Sequence, residues 1–303
     1  MEERERVFRV SRPVHLRLTL GPMVHGRGDP TLWLRADGAW RATRTPEGPA
    51  TLQLRVAGDE VTARAWGAGA GWALDAAPDL VGAFDDDEGF RPAHPVVAGL
   101  ARRFPGLRIP HSRAVLEALV PVVLAQKVTG LEAKRGWRAL VRALGEPAPG
   151  PAGDAGLLLP PAPAQLAATP SWAFHPWGVE RKRADTVRRA AAVAPRLEEA
   201  VAMAPDDARR RLQAVPGIGP WTAAEVGLVA LGDADAVPVG DFHLSHQVSW
   251  ALAGEPRGDD ARMLELLEPF AGHRGRVVRL IDAGVIHEPR FGPRLEVRAI
   301  TGM

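Results

Sequence analysis

The strongest constraint in this 303-residue chain is a change of hydrophobic period along its length. Near the start, Val14, Leu16, Leu18 and Leu20 alternate with His15, Arg17 and Thr19. Leu52, Leu54 and Val56 repeat the pattern before Ala57-Gly58-Asp59-Glu60 turns the chain into 61–66. Alternation around a glycine turn predicts antiparallel strands with one buried face, and 32–34 and 39–43 add shorter runs. After Pro110 the period becomes helical. Ser112 is placed to cap a helix through Val115, Leu116, Leu119, Val122 and Val123, which Pro121 should kink or break. Further helical stretches follow at 131–144, 180–203, 207–214, 220–231, 241–252, 260–270 and 275–286. Strands first and helices after predict an α+β chain: an N-terminal antiparallel sheet domain with its linker over 1–95, then a helical core over 96–303.

Two connections stand out. The acidic run Asp85-Asp86-Asp87-Glu88 reads as a solvated linker, with a divalent-cation site as the alternative. The Pro- and Ala-rich stretch 145–170 is too long for an ordinary connection; it is either an ordered loop packed through Leu157, Leu158 and Leu159 or a flexible excursion.

Composition excludes several chemistries. With no cysteine there is no disulfide, thiolate zinc finger, cysteine-ligated cluster or cysteine nucleophile. Lys+Arg 38 against Asp+Glu 36 leaves +2, so any nucleic-acid site must be a local patch. Neither a membrane-spanning run nor a signal-peptide apolar region is visible, so a soluble cytoplasmic protein is expected.

The most informative stretch is Leu212-Gln213-Ala214-Val215-Pro216-Gly217-Ile218-Gly219-Pro220-Trp221-Thr222. One helix stops at a Pro-Gly-Ile-Gly turn and the next starts with Pro220, whose missing N–H costs nothing at that position. Two glycines allow a tight turn and close approach of a ligand, and the new helix offers free N–H groups at its positive end. Such a turn suits an anion such as DNA phosphate, although it could also be only a packing corner. Some 20 residues on, Val237-Pro238-Val239-Gly240-Asp241-Phe242-His243 places a carboxylate at a helix start, either as a cap or beside the hairpin.

Together these two features resemble the helix-hairpin-helix DNA glycosylases, in particular their alkylbase branch. The stretches 123–129, 177–184 and 269–274 are similar to further family segments, and the resemblance covers about 112–287. It implies hydrolytic removal of alkylated purines from double-stranded DNA in base excision repair, at the nucleoid, without an obligate protein partner. By this resemblance Asp241 is the catalytic carboxylate and Trp221 and Phe242 line the base pocket. DNA would be held by Gly217, Ile218, Gly219, Thr222, Gln126, Lys127, Lys182 and Arg183. Lys127 stands where the branch often carries an apolar wedge, and the last helix, reading Val277-Val278-Arg279-Leu280-Ile281-Asp282, lacks the branch's pocket aromatic. Trp221 occupies the position at which relatives that also nick DNA carry a Schiff-base lysine, so no lyase activity is expected. The resemblance implies no essential metal or cofactor, apart from a cation that could bridge the hairpin turn and a DNA phosphate. Two other readings compete: a non-catalytic DNA-binding hairpin, and a metal site formed by Asp241, His243 and His246.

Overall fold

The computed structural model describes residues 3–287. Strands β1 (Glu3–Arg9), β2 (Leu32–Arg35), β3 (Gly38–Thr45), β4 (Gly48–Ala57) and β5 (Glu60–Trp66) form one antiparallel sheet in the order β1-β5-β4-β3-β2. The expected glycine turn joins β4 to β5, setting Val56 opposite Val61 and Leu54 opposite Ala63. The edge strand β1 has no apolar stripe. Its charges face solvent, and Arg64 of β5 holds Glu5 at 2.6 Å, a polar edge that discourages further strand pairing.

The alternation at 14–20 does not form a strand. Val14 is buried, and Leu16–Leu20 is a short helix, α1, whose Leu18 N–H donates to the His15 ring at 3.3 Å. Leu16 and Leu20 lie four residues apart, so the same apolar residues satisfy a helical turn. Helix α2 (Ala70–Leu80) covers one sheet face, packing Ala70, Ala73, Leu74 and Ala77 on Leu52, Leu54, Val61 and Ala63.

The acidic linker also departs from expectation. Asp85 has a side chain only 2% exposed and receives both guanidinium nitrogens of Arg276, at 2.8 and 2.6 Å, plus the Ile109 N–H at 3.1 Å. A buried carboxylate survives where it is paired and fully hydrogen-bonded. Asp87 pairs with Arg12 and Arg108, while Asp86 and Glu88 stay at the surface. The segment is therefore a strut joining the sheet domain to the C-terminal helices.

The helical part contains α3 (Pro95–Arg103), α4 (Val115–Leu124), α5 (Gly130–Leu144), α6 (Pro151–Asp154), α7 (Pro163–Ala168), α8 (Arg181–Ala192), α9 (Ala194–Glu198), α10 (Pro205–Gln213), α11 (Pro220–Val226), α12 (Leu244–Ala253), α13 (Asp260–Leu267) and α14 (Arg274–Ala283). Most of them divide between two apolar cores. One joins α4, α5 and α8–α11 through Leu119, Leu140, Val187, Leu212 and Ala223; the other joins α3 and α12–α14 through Val97, Val248, Leu267 and Val277. The long 145–170 stretch is ordered, with Leu157 and Leu159 buried against Ala42 and half-buried Trp33 and Trp40 of the sheet.

Helix α4 is positioned by groups the sequence did not reveal. Ser112 does not cap it. The N–H groups of Val115 and Leu116 donate instead to Glu198, at 2.8 and 2.9 Å, and burial pushes that carboxyl upward. Pro121 lies inside α4 without breaking it. At the other flank Glu117 accepts from Arg41 and Thr43, both at 2.9 Å, and from the Arg44 N–H at 2.7 Å, fixing α4 to β3. Pro22, just after α1, lines one cleft together with residues of α11, α12 and α14.

Candidate active site

The hairpin is α10, a turn over 214–219, and α11. Val215 and Ile218 are buried and pin the turn to the core. Gly217 has φ +101°, and a Cβ there would overlap Thr186 of α8, so only glycine fits. Gly219 faces open space, and among the described residues no protein acceptor meets the N–H of either glycine. These donors are free for an anion. Ile218 serves the core instead of the surface, and buried Thr222 accepts from Gln126.

Three flanking contacts hold the turn. Gln126, just beyond α4, donates through Nε2 to the Gly217 carbonyl and to Thr222 Oγ1, each at 2.9 Å. Arg189 donates to the Pro216 carbonyl at 3.1 Å. Lys127, next to Gln126, is exposed with a left-handed φ of +56°, a costly backbone state for a non-glycine residue. Lys182, Thr186 and Arg189 recur at helical spacing on α8, and Thr186 abuts Gly217, so exposed Lys182 and Arg189 flank the hairpin.

Arg183 lies elsewhere. It is 6% exposed and donates to the Leu124 carbonyl at 2.6 Å and the Gly178 carbonyl at 3.5 Å. This corrects its expected place on the DNA surface: Arg183 ties α8 to the end of α4. Arg189 is the arginine beside the turn.

Asp241 lines the cleft between α11, α12 and α14. Its Oδ1 accepts the N–H groups of His243 and Leu244 at 2.8 and 3.0 Å, capping α12, and its Oδ2 accepts Trp221 Nε1 at 3.0 Å. Capping and cleft placement are thus both realised, one per oxygen, and the indole connects the carboxylate to the hairpin. Among the described residues Asp241 has no cationic partner. Trp221 is half-buried. Phe242 is 73% exposed, packs edge-on against His243 and does not line the cleft, which corrects its expected place in the pocket wall. His246 Nδ1 is directed to the Gly258 backbone, and no cluster of three or more metal-ligating side chains occurs among the described residues.

The cleft has a volume of about 200 Å³ and gathers four ionisable side chains, Asp241, Glu225, Arg279 and Asp282, a grouping the sequence did not reveal. Glu225, one turn beyond Trp221, faces Asp241, Asp282 and Arg279. Burial, then the neighbouring Asp241 and Asp282 charges, push the Glu225 carboxyl up to about 7. Burial also pushes Asp282 up, while Gln247 donates to its Oδ1 at 3.0 Å. Arg279 is lowered by burial and donates to the Leu18 carbonyl at 2.9 Å. Past Val226 the helix widens into a π turn over Gly227–Leu231, which turns Leu228 and Val229 into the cleft with Glu225. A signal for Glu225 did exist: from Trp221 to Leu231 it is the one charged residue of an otherwise apolar helix.

No family model matches this chain. Among solved structures, a 3-methyladenine DNA-glycosylase from Archaeoglobus fulgidus superposes with a TM-score of 0.75 at 17% identity, covering 91% of this chain and 97% of that one. The fold is that of the helix-hairpin-helix DNA glycosylases. An 8-oxoguanine glycosylase/lyase from Clostridium acetobutylicum superposes at 0.69 with 14% identity, covering 93% and 96%. Both likenesses extend over more than nine tenths of this chain, so the N-terminal sheet does not by itself distinguish the two named activities. A curated relative, a probable bifunctional transcriptional activator/DNA repair enzyme AlkA from Mycobacterium tuberculosis, is 31% identical over 156 residues. That stretch is 50% of this chain but only 30% of the relative. No helix among the described residues is long and apolar enough to cross a membrane.

Proposed function

We propose that this chain is a DNA N-glycosylase that hydrolyses the base–deoxyribose bond of alkylated purines, of the 3-methyladenine type, in duplex DNA. The observation that carries this reading is the 3.0 Å bond from Trp221 to Asp241, which couples a phosphate-gripping hairpin to a carboxylate in a cleft. The alkylbase choice is supported by the Archaeoglobus structure and the Mycobacterium relative.

The chemistry follows from the parts. Free N–H groups of the turn hold a phosphate beside the lesion, with Lys127, Lys182 and Arg189 as surrounding cations. The damaged nucleotide is extruded into the cleft, at a cost of a few kcal/mol that is smallest for a weakly paired base. As the glycosylic bond breaks, its electron pair leaves with the base; a cationic alkylpurine departs neutral and needs no general acid. Positive charge then gathers on the sugar, where the fixed Asp241 carboxylate stabilises it and orients the water that adds to C1′. The water's proton passes to the carboxylate or to solvent.

The reading includes hydrolysis without strand cleavage. A lyase step needs an amine at the sugar, and Lys127, Lys134 and Lys182 are all exposed and outside the cleft. A cation shared between the turn and a phosphate is also part of the proposal. It would draw on carbonyls other than those of Pro216 and Gly217, which already accept from Arg189 and Gln126.

A lesion panel tests the reading. Duplexes carrying 3-methyladenine, 7-methylguanine, hypoxanthine, uracil or 8-oxoguanine are incubated with the protein, with and without borohydride. Fastest release of the two methylated purines, with no borohydride-trapped adduct, is expected. Release confined to 8-oxoguanine, or a trapped adduct, would overturn it, as would duplex binding with no base freed from any substrate.

A further inference from the structure

The cleft beside Asp241 is walled by acids where a pocket for a flat aromatic base would ordinarily be walled by rings. Among the described residues no aromatic side chain lines it. Three carboxylates, Asp241, Glu225 and Asp282, face one guanidinium, Arg279. Two of these groups are already engaged: Asp282 accepts from Gln247, and Arg279 donates to the Leu18 carbonyl. Asp241 is held by three N–H donors. Glu225 is the exception. Its side chain is half-buried and opens on the cleft, and it makes no hydrogen bond to another described residue. It also lines the adjoining cavity of about 60 Å³ toward the sheet, shared through Pro22 and Val229, where His25, Arg41 and Glu117 are the other titratable or charged groups.

A half-buried acid that no protein donor satisfies is open to a ligand, and a cavity carrying excess negative charge is complementary to a cation. We propose that Glu225, backed by Asp282, is the specificity-determining residue that recognises the positive charge of an extruded alkylpurine by direct carboxylate contact. The inference rests on the glycosylase reading and adds a basis for its choice of base: charge, where stacking between aromatic faces would be the usual device. A proton held by Glu225 near neutral pH is released when the cation enters, because an opposite charge favours the ionised carboxyl. Once the glycosylic bond breaks the base is neutral, this attraction ends, and the free base is not retained. Glu225 therefore acts mainly on capture of the lesion and little on bond cleavage.

The experiment has two independent parts, with wild type, Glu225→Gln and Asp282→Asn, each first checked for a native thermal transition. In the first, single-turnover release is followed against enzyme concentration for 7-methylguanine, which is cationic in DNA, and for hypoxanthine, which is neutral. Glu225→Gln should raise the half-saturating concentration for 7-methylguanine about tenfold, leave its limiting rate within about twofold, and leave hypoxanthine unchanged. Asp282→Asn should give a smaller shift of the same kind. In the second, the protein is titrated at about pH 7.5 with 1-methyladenosine, a cation, and with adenosine. Wild type should prefer the cation, and Glu225→Gln should lose that preference. Equal loss on both lesions in the release assay overturns the inference, and wild type binding both nucleosides alike overturns it whatever the release assay gives. A cation preference abolished by Glu225→Gln, in a protein that frees no base, would keep the inference about Glu225 and defeat the glycosylase reading alone.

Discussion

The two walls of the cleft are built on opposite principles. In the hairpin turn itself nothing charged is buried: the turn grips through backbone N–H groups, and Ile218, Thr186 and Gln126 lock its shape. In the cleft, where Glu225 of α11 faces α12 and α14, ionisable groups are gathered together and their ordinary protonation ranges are displaced. The first wall is optimised for stability and geometry at once. The second carries a stability cost, as active sites commonly do, in return for a chemically poised cavity. Asp241 sits on the seam, capping α12 with one oxygen and meeting the hairpin's indole with the other.

The largest effect expected from breaking this arrangement is at the seam. Asp241→Asn keeps the size of the side chain but removes the charge opposite the sugar, and should lower base release by about 100-fold or more while duplex affinity changes little. Single-turnover release and an equilibrium binding titration on the same duplex read the two quantities.

The contrast between the walls can be measured as stability. The folded Glu225 keeps its proton to about pH 7 against an ordinary 4.5, so the unfolded state ionises first and stability falls as pH rises between those values. Glu225→Gln should remove that loss, being more stable than wild type by up to about 3 kcal/mol at about pH 8 and no more stable at about pH 4. Denaturant melts at both pH values check it. In the other wall Gly217→Ala should have the opposite sign at every pH, destabilising by about 2 kcal/mol because the left-handed φ and Thr186 both exclude a Cβ. The smallest effect is on the surface: Lys127→Ala should weaken duplex binding a few-fold and reduce the salt slope by about one, read by titrations over a range of salt.

What the sequence made legible follows the same division. The hairpin and Asp241 are encoded in short, contiguous signals, because glycine, proline and a capping acid act on their own backbone. The helical periods and the β4–β5 turn were legible for the same local reason. The features missed depend on distant partners. Asp85 looks like a solvated acid until Arg276, 191 residues away, closes on it. Arg183 sits in a basic run that resembles a DNA-binding surface, yet its helix turns it inward to Leu124. Glu198 caps α4 from 83 residues downstream. Strand β1 was invisible because a charged edge strand has no apolar stripe to read. The short run at 14–20 fits a turn of helix and a strand equally well, and only its packing decides.

The central claim is that the Asp241 carboxylate faces a sugar that becomes positively charged. It is tested most directly by binding to two duplexes that differ in one charge, one with a cationic pyrrolidine in place of the damaged nucleoside and one with the neutral tetrahydrofuran. Wild type should bind the cationic duplex at least about tenfold more tightly, and Asp241→Asn should lose most of that preference. Equal affinity of wild type for both duplexes, or a preference that survives Asp241→Asn intact, would contradict the account.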